Sequence, residues 1–156
     1  MPKPYAIETS VHIDAPAKKI YDVLLDLNQF DEWNPFKLFD DSNVSTVQQA
    51  KPGVGSVYEY QGNKVGKGRQ EVIEVVKPTL IKHQMTFFNK KGKAEKAFSE
   101  YRLHEDSTGT VVTWAMNGER SVGQSLFISM LGLNKMMAKS FAQGLERLKD
   151  YVEEGA

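Results

Sequence analysis

An amphipathic helical stripe at the end of the chain, preceded by a long run of strand-like segments, is the feature that most constrains the fold. Leu133, Met137, Phe141, Leu145, Leu148 and Val152 recur at helical spacing, opposite Lys135, Lys139, Arg147 and Lys149. A helix with so wide an apolar face needs a broad apolar surface to lie against, and a curved sheet built from the earlier segments supplies one. The stretch just before it, Ser121 to Asn134, contains no charged residue, so Ser121–Glu154 reads as one broken, strongly apolar helical unit. Flexible Met and bulky aromatic residues along the contact leave two interiors open, a solid core or a pocket.

The segments before the stripe have the period of strands. Tyr5, Ile7, Thr9, Val11 and Ile13 alternate with Ala6, Glu8, Ser10 and His12, the pattern of a half-buried strand. Pro16 suits the first turn of a helix, which Ile20, Val23, Leu24 and Leu27 give an apolar face. A short second helix is expected from Asn28 or Asp31, ended by Trp33-Asn34-Pro35. Strands are then expected at about Phe36–Gln48, Ser56–Gln61, Gly68–Val76, Leu80–Phe88, Ala94–Glu105 and Thr110–Gly118. Turn signals such as Lys51-Pro52-Gly53, Gly62-Asn63, Lys77-Pro78 and Lys91-Gly92-Lys93 separate them, and connections this short imply antiparallel neighbours. Ser121 with Gln124 has the capping-box spacing, and Gly132 and Asn134 suggest a break before the last helix.

Composition removes several classes of function. At 156 residues the expectation is one domain, 1–156, able to build a core without covalent staples. Lys and Arg number 20 and Asp and Glu number 20, so no global charge points to nucleic acid or to an anionic membrane. The absence of cysteine excludes thiol catalysis and cysteine-ligated metal. No apolar run approaches a membrane span and no apolar leader follows Met1, so the expectation is a cytoplasmic protein without stable membrane insertion.

Three stretches carry a family resemblance. They are Ile13-Asp14-Ala15-Pro16 running through Leu24 to Phe30-Asp31-Glu32-Trp33-Asn34-Pro35-Phe36, then Gly109–Trp114 with Met116 and Gly118, then Phe141–Lys149 around Gly144. Together they resemble the START and birch-pollen-allergen-like (SRPBCC) superfamily, the helix-grip group that includes polyketide cyclase/dehydratase-like proteins. Tyr58–Asn63 and Val65–Gly68 are similar to a bacterial subgroup of it. The resemblance implies an α+β helix-grip fold. In it a curved antiparallel sheet of about seven strands wraps a long C-terminal helix, with two short helices after the first strand. That scaffold carries lipid binders, hormone receptors, cyclases, dioxygenase subunits and chaperone activators, so it implies a fold more sharply than a function.

Alternation predicts the inward side chains. Ile81, His83, Met85 and Phe87 share the more apolar face of their strand; Ser99, Tyr101 and Leu103 share another; Val112, Trp114 and Met116 a third. Tyr58 and Tyr60 share a face. The register of Gly68–Val76 is ambiguous from pattern alone, and the resemblance favours Gln70 and Val72 inward. The candidate ligand-binding set is therefore Trp33, Tyr58, Tyr60, Gln70, Val72, His83, Met85, Phe87, Tyr101, Trp114, Met116, Met130, Met137 and Phe141. So many polar-tipped residues inside need partners, from a ligand-containing or water-containing cavity or from a packed core whose hydroxyls reach the surface. His83 is the candidate catalytic residue as a general base, or a group that fixes a ligand, against the plainer reading of an interior histidine bonded to a tyrosine or water. Glu71 or Glu74 would assist it in one register. Trp33 is either a gate or a plug beneath the short helices.

Other motifs fail. Gly62-Asn63-Lys64-Val65-Gly66-Lys67-Gly68 is one residue short of a phosphate-loop spacing and lacks the Ser or Thr for magnesium. His12, His83 and His104 have no metal-ligand spacing, and no cofactor is expected. Lys90, Lys91, Lys93 and Lys96 read as a solvated hairpin turn. Residues 121–134 are a candidate lid, homodimer contact or partner site. The leading expectation is binding of a small apolar or amphipathic molecule such as a lipid, isoprenoid, polyketide or aromatic. The alternatives are a cyclase/dehydratase enzyme using His83 and a chaperone-activator-like interaction module.

Overall fold

The structure, a computed structural model, describes residues 5–64, 66–88, 92–118 and 131–155, with the side chains of 5, 6, 38, 39, 118 and 131–137 outside the description. Strand β1 is Tyr5–Ile13, followed by helix α1 (Ala17–Leu25), a 3-10 helix (Leu27–Glu32) and helix α2 (Pro35–Phe39). Strands β2 (Val44–Gln48), β3 (Val57–Gly62), β4 (Gly66–Val76), β5 (Leu80–Phe88), β6 (Ala94–Asp106) and β7 (Gly109–Gly118) come next, and helix α3 (Leu131–Glu153) closes the series. The strands form one seven-stranded antiparallel sheet in the order β1-β7-β6-β5-β4-β3-β2. From β2 to β7 each strand pairs with its chain neighbour, as short connections require. β1 then returns to pair along β7.

β1 and β5 have the bounds expected from pattern, whereas the expected strand at Phe36–Gln48 divides. Its first part is helix α2, because Asn34 and Pro35 together start a helix more effectively than they start a strand. The Asn34 side-chain oxygen accepts the Phe36 N–H at 2.9 Å, and Pro35 stands in the first turn, where a missing N–H is harmless. Only Val44–Gln48 remains as β2. The ambiguity in β4 is settled by a bulge between Val72 and Glu74. One extra residue there lets Gln70 and Val72 face inward before it and Val75, opposite Ile81, after it.

The Ile13–Ala17 link is held from three sides. The Thr110 hydroxyl donates to the Ala15 carbonyl at 2.7 Å, and the Glu105 carboxylate accepts the Ala17 N–H at 2.5 Å. At the end of α3, Lys149 Nζ donates to the His12 carbonyl at 2.9 Å, and Glu153 accepts the Asp14 N–H at 2.9 Å. These bonds anchor the helix end against β1, along which α3 runs, while α1 packs on β5 and β6. Beneath them Ile13, Ile20, Leu24, Leu103, Val112, Leu145, Leu148 and Val152 form a dense apolar core.

Gly144 sets how closely α3 approaches the rest. A Cβ added there would stand 2.9 Å from the Pro35 ring and 3.1 Å from Trp114 Cζ3, two groups that cannot swing aside. Gly144→Val is therefore expected to overpack the contact and lower stability by ~1–3 kcal/mol in urea denaturation. Unchanged or increased stability would mean that the helix has room to shift.

Candidate functional site

The sheet register arranges the inner face as a grid. Across the strands, Tyr58 pairs with Gln70, Gln70 with Met85 and Met85 with Ala97. The next row inward runs Val72, His83, Ser99, Met116 and Ile7, and the one beyond it runs Ile81, Tyr101, Trp114 and Thr9. The expected inward residues of β3 to β7 thus lie on one surface. Val72, His83, Gln70, Tyr58, Tyr101, Trp114 and Met116 are buried; Tyr60, Met85 and Phe87 are half-buried.

One part of this surface is filled by rings. Phe141 from α3 stacks flat on Trp114, with ring centres 3.9 Å apart and planes 2° from parallel. Trp33 meets Trp114, Tyr101 and Phe30 edge-on at 5.6, 6.0 and 4.9 Å. Trp33 is only 1 % exposed, so it fills the space beneath the short helices as a plug would. The Trp114 indole N–H donates to Ser99 Oγ at 3.1 Å, while the Trp33 indole N–H has no partner among the described residues.

A polar cluster fastens that plug to the sheet. The Tyr58 hydroxyl donates to Asp31 Oδ1 at 2.6 Å, and the Ser45 hydroxyl to Asp31 Oδ2 at 2.6 Å. The Asn34 side-chain amide donates to Asp31 at 3.2 Å and to the Tyr58 hydroxyl at 3.1 Å, with Lys37 Nζ 3.6 Å from Asp31. Partial burial of Asp31 opposes ionisation, but these donors outweigh it and hold its carboxyl below the usual range. Burial and the adjacent carboxylate push the Tyr58 phenol up. Asp31, Asn34 and Ser45 were not among the residues singled out from sequence as site residues. The Asn-Pro pair was the readable signal for Asn34, as a helix cap followed by a first-turn proline.

His83 shares with Trp33 a buried nitrogen that no described group bonds, and in its case both ring nitrogens are affected. It is 1 % exposed, and among the described residues neither Nδ1 nor Nε2 has a hydrogen-bond partner, so no described tyrosine bonds the ring. Its nearest described ring is Tyr101, perpendicular at 5.6 Å between centres. Glu71 pairs with Arg69 at 3.1 Å on the outer face and Glu74 is exposed, so neither assists it. Burial lowers the imidazole pKa to about 4 and raises the Tyr60 phenol to about 12. Burial also raises Tyr101 strongly. All three groups are uncharged at neutral pH. Tyr60 lies over Gly68 on the neighbouring strand, where an added Cβ would meet its ring at 2.3 Å.

Met130 and the segment 121–130 lie outside the described residues, as do the side chains of 131–137, including Met137, and the residues Lys90 and Lys91. Among the described residues no His, Asp or Glu group has a metal-binding arrangement, and no helix is long and apolar enough to cross a membrane.

A seven-stranded antiparallel sheet with a long C-terminal helix and short helices after its first strand defines an α+β protein of the helix-grip class. The chain belongs to the polyketide cyclase/dehydrase and lipid transport family, whose model matches residues 5–153. No curated protein sequence matches it. Solved structures share the fold at low identity. A protein from Mesorhizobium loti is 16 % identical with a TM-score of 0.70, over 97 % of this chain and 99 % of that one. The Aha1 dimer from Colwellia psychrerythraea is 17 % identical with a TM-score of 0.65, over 94 % of each chain. The di-domain ARO/CYC StfQ from the steffimycin biosynthetic pathway is 10 % identical with a TM-score of 0.69, over 97 % of this chain and 51 % of that one.

Two outcomes follow from this geometry. Tyr58→Phe removes a donor from a charged acceptor and is expected to cost about 1.5–3 kcal/mol in chemical denaturation; an unchanged midpoint would make the cluster incidental. His83 binds a proton in the unfolded chain below its ordinary 6.5 but in the folded protein only below about 4. Folding therefore carries no protonation penalty from His83 above pH 6.5, and stability is lost as pH falls through that interval, at up to ~1.4 kcal/mol per pH unit. Wild-type stability should fall more steeply there than that of His83→Leu, since the carboxylates and the other histidines titrate in both proteins. Parallel pH profiles would contradict it.

Proposed function

We propose that this protein binds a small, largely apolar molecule against the inner face of its sheet, beneath the C-terminal helix, and that His83 orients it. The observation that carries this reading is the buried imidazole with both nitrogens unpartnered. Leaving a buried polar group unsatisfied costs about 1–3 kcal/mol, and such a cost is expected at a functional position rather than in a core selected for stability alone. The surrounding Met85, Phe87, Val72 and Met116 offer apolar contact, worth roughly 25 cal/mol per Å² of ligand surface removed from water. Gln70 and Tyr60 stand on the same wall. Membership in a family described by cyclase, dehydrase and lipid transport activities agrees with a ligand held in this place.

Binding is favoured over catalysis by the state of His83 itself. A general base for proton abstraction works best with a pKa near the operating pH. A ring whose pKa is about 4 is a weak base at neutral pH, and no described group is bonded to it to strengthen it. A neutral imidazole is nonetheless a good hydrogen-bond partner for a bound molecule.

Native mass spectrometry of the purified protein, followed by solvent extraction, tests the reading directly. The expected result is a co-purified non-protein mass on the wild type and markedly lower occupancy on His83→Leu. The same substitution should raise the melting temperature of the ligand-free protein by several degrees, because two unsatisfied buried atoms are removed. A destabilised His83→Leu protein that keeps full occupancy would defeat the assignment.

A further inference from the structure

We infer that the molecule held at His83 is uncharged and presents a hydroxyl group, an alcohol or a phenol rather than a carboxylate, a phosphate ester or an amine. The inference rests on the binding reading above and narrows it to a chemical class. A neutral imidazole has one N–H donor and one bare nitrogen that accepts, and here no described residue engages either. A hydroxyl can meet either nitrogen, donating to the bare one or accepting from the N–H, whichever tautomer is present. A carboxylate can meet only the N–H, and an ammonium only the bare nitrogen.

Charge on the wall argues in the same direction. Among the described residues, the cations of β4 to β6 lie on the outer face, the exposed Lys96 among them. Arg69 pairs with Glu71, Arg102 with Glu8 and Glu100, while Lys67 lies over Phe88 and Lys82 over Phe98. The inner positions around His83 are Val72, Ser99, Met85, Ala97, Tyr101 and Met116, none of which carries charge. Charged positions on the inner side of β6 occur only at its ends, Glu95 and Glu105, and both are acidic. A buried anionic head group would thus meet no cation on this wall, and a buried ammonium would meet no carboxylate beside His83. Either would lose its hydration without compensation. A hydroxyl loses less hydration and regains a hydrogen bond.

Matched probes decide the matter by calorimetric titration at neutral pH. One set is 2-naphthol, 2-naphthoate and 2-methoxynaphthalene; a second, for a flexible chain, is dodecan-1-ol and dodecanoate. In the better-fitting set the hydroxyl member is expected to bind at least ~10-fold more tightly than the carboxylate. It should also bind several-fold more tightly than the ether. In His83→Leu, its folding checked by its melting transition, the preference for naphthol over the ether should vanish, while His83→Gln should keep part of it. A carboxylate that binds as tightly as its hydroxyl partner overturns the inference while leaving the binding reading intact. So does a hydroxyl-over-ether preference that persists in His83→Leu. Failure of every probe in both sets to bind defeats the binding reading and this inference with it.

Discussion

The face-to-face contact of Phe141 with Trp114 is the interaction on which the remaining packing depends. It brings the C-terminal helix flat against the strand that precedes it, on the inner face one strand in from the β1 edge. That approach requires Gly144 one turn along, because any side chain there would strike both the Pro35 ring and Trp114. Pro35 in turn is in place because Asn34 caps α2, and Asn34 is held by Asp31 and Tyr58. One ring stack therefore couples α3, β7, the short-helix layer and β3. Bonds from Lys149 and Glu153 to the β1–α1 link secure the far end of the same helix.

Around that stack the inner face has two characters. Toward α1 and the end of α3 it is apolar, with Val112, Leu103, Leu145, Leu148 and Val152 in one cluster. Across β3 to β6 it turns to polar-tipped and small side chains: Tyr60 over Gly68, then Gln70, His83, Ser99 and Tyr101. The first region holds the fold together. The second tolerates a local cost in stability, and the proposed binding role gives that cost a reason. Asp31 belongs with the first region despite its charge, since its hydrogen bonds are saturated and its work is to hold the plug.

Much of this was readable beforehand because strand alternation is a strict code. Once β5 was recognised, His83 had to share a face with Ile81, Met85 and Phe87, and the register places them so. The helical stripe likewise placed Phe141, Leu145, Leu148 and Val152 against the sheet. Alternation failed where an element is defined by something other than its period. The strand expected from Phe36 begins as helix α2 instead, since its Asn34-Pro35 start is a matter of capping. The β4 register stayed open because a bulge is an insertion, and a pattern of Val and Ile on both faces cannot show where it falls. The unpartnered state of His83 could not be read at all, since the sequence specifies what faces inward but not what fails to meet it.

Gly68 carries a consequence for how this scaffold varies. The Tyr60 ring rests directly on the β4 backbone, in the place a side chain would otherwise take, so the thickness of the wall there is set by one tyrosine and one glycine on adjacent strands. Neither residue takes part in the Trp114–Phe141 stack or in the Asp31 cluster. The depth of the face beside Phe87 is thus set by this pair, with Tyr60 also in ring contact with Tyr58 at 6.4 Å. A chain of this kind can change the thickness of that wall by substitution at two positions on adjacent strands, without touching the Trp114–Phe141 stack.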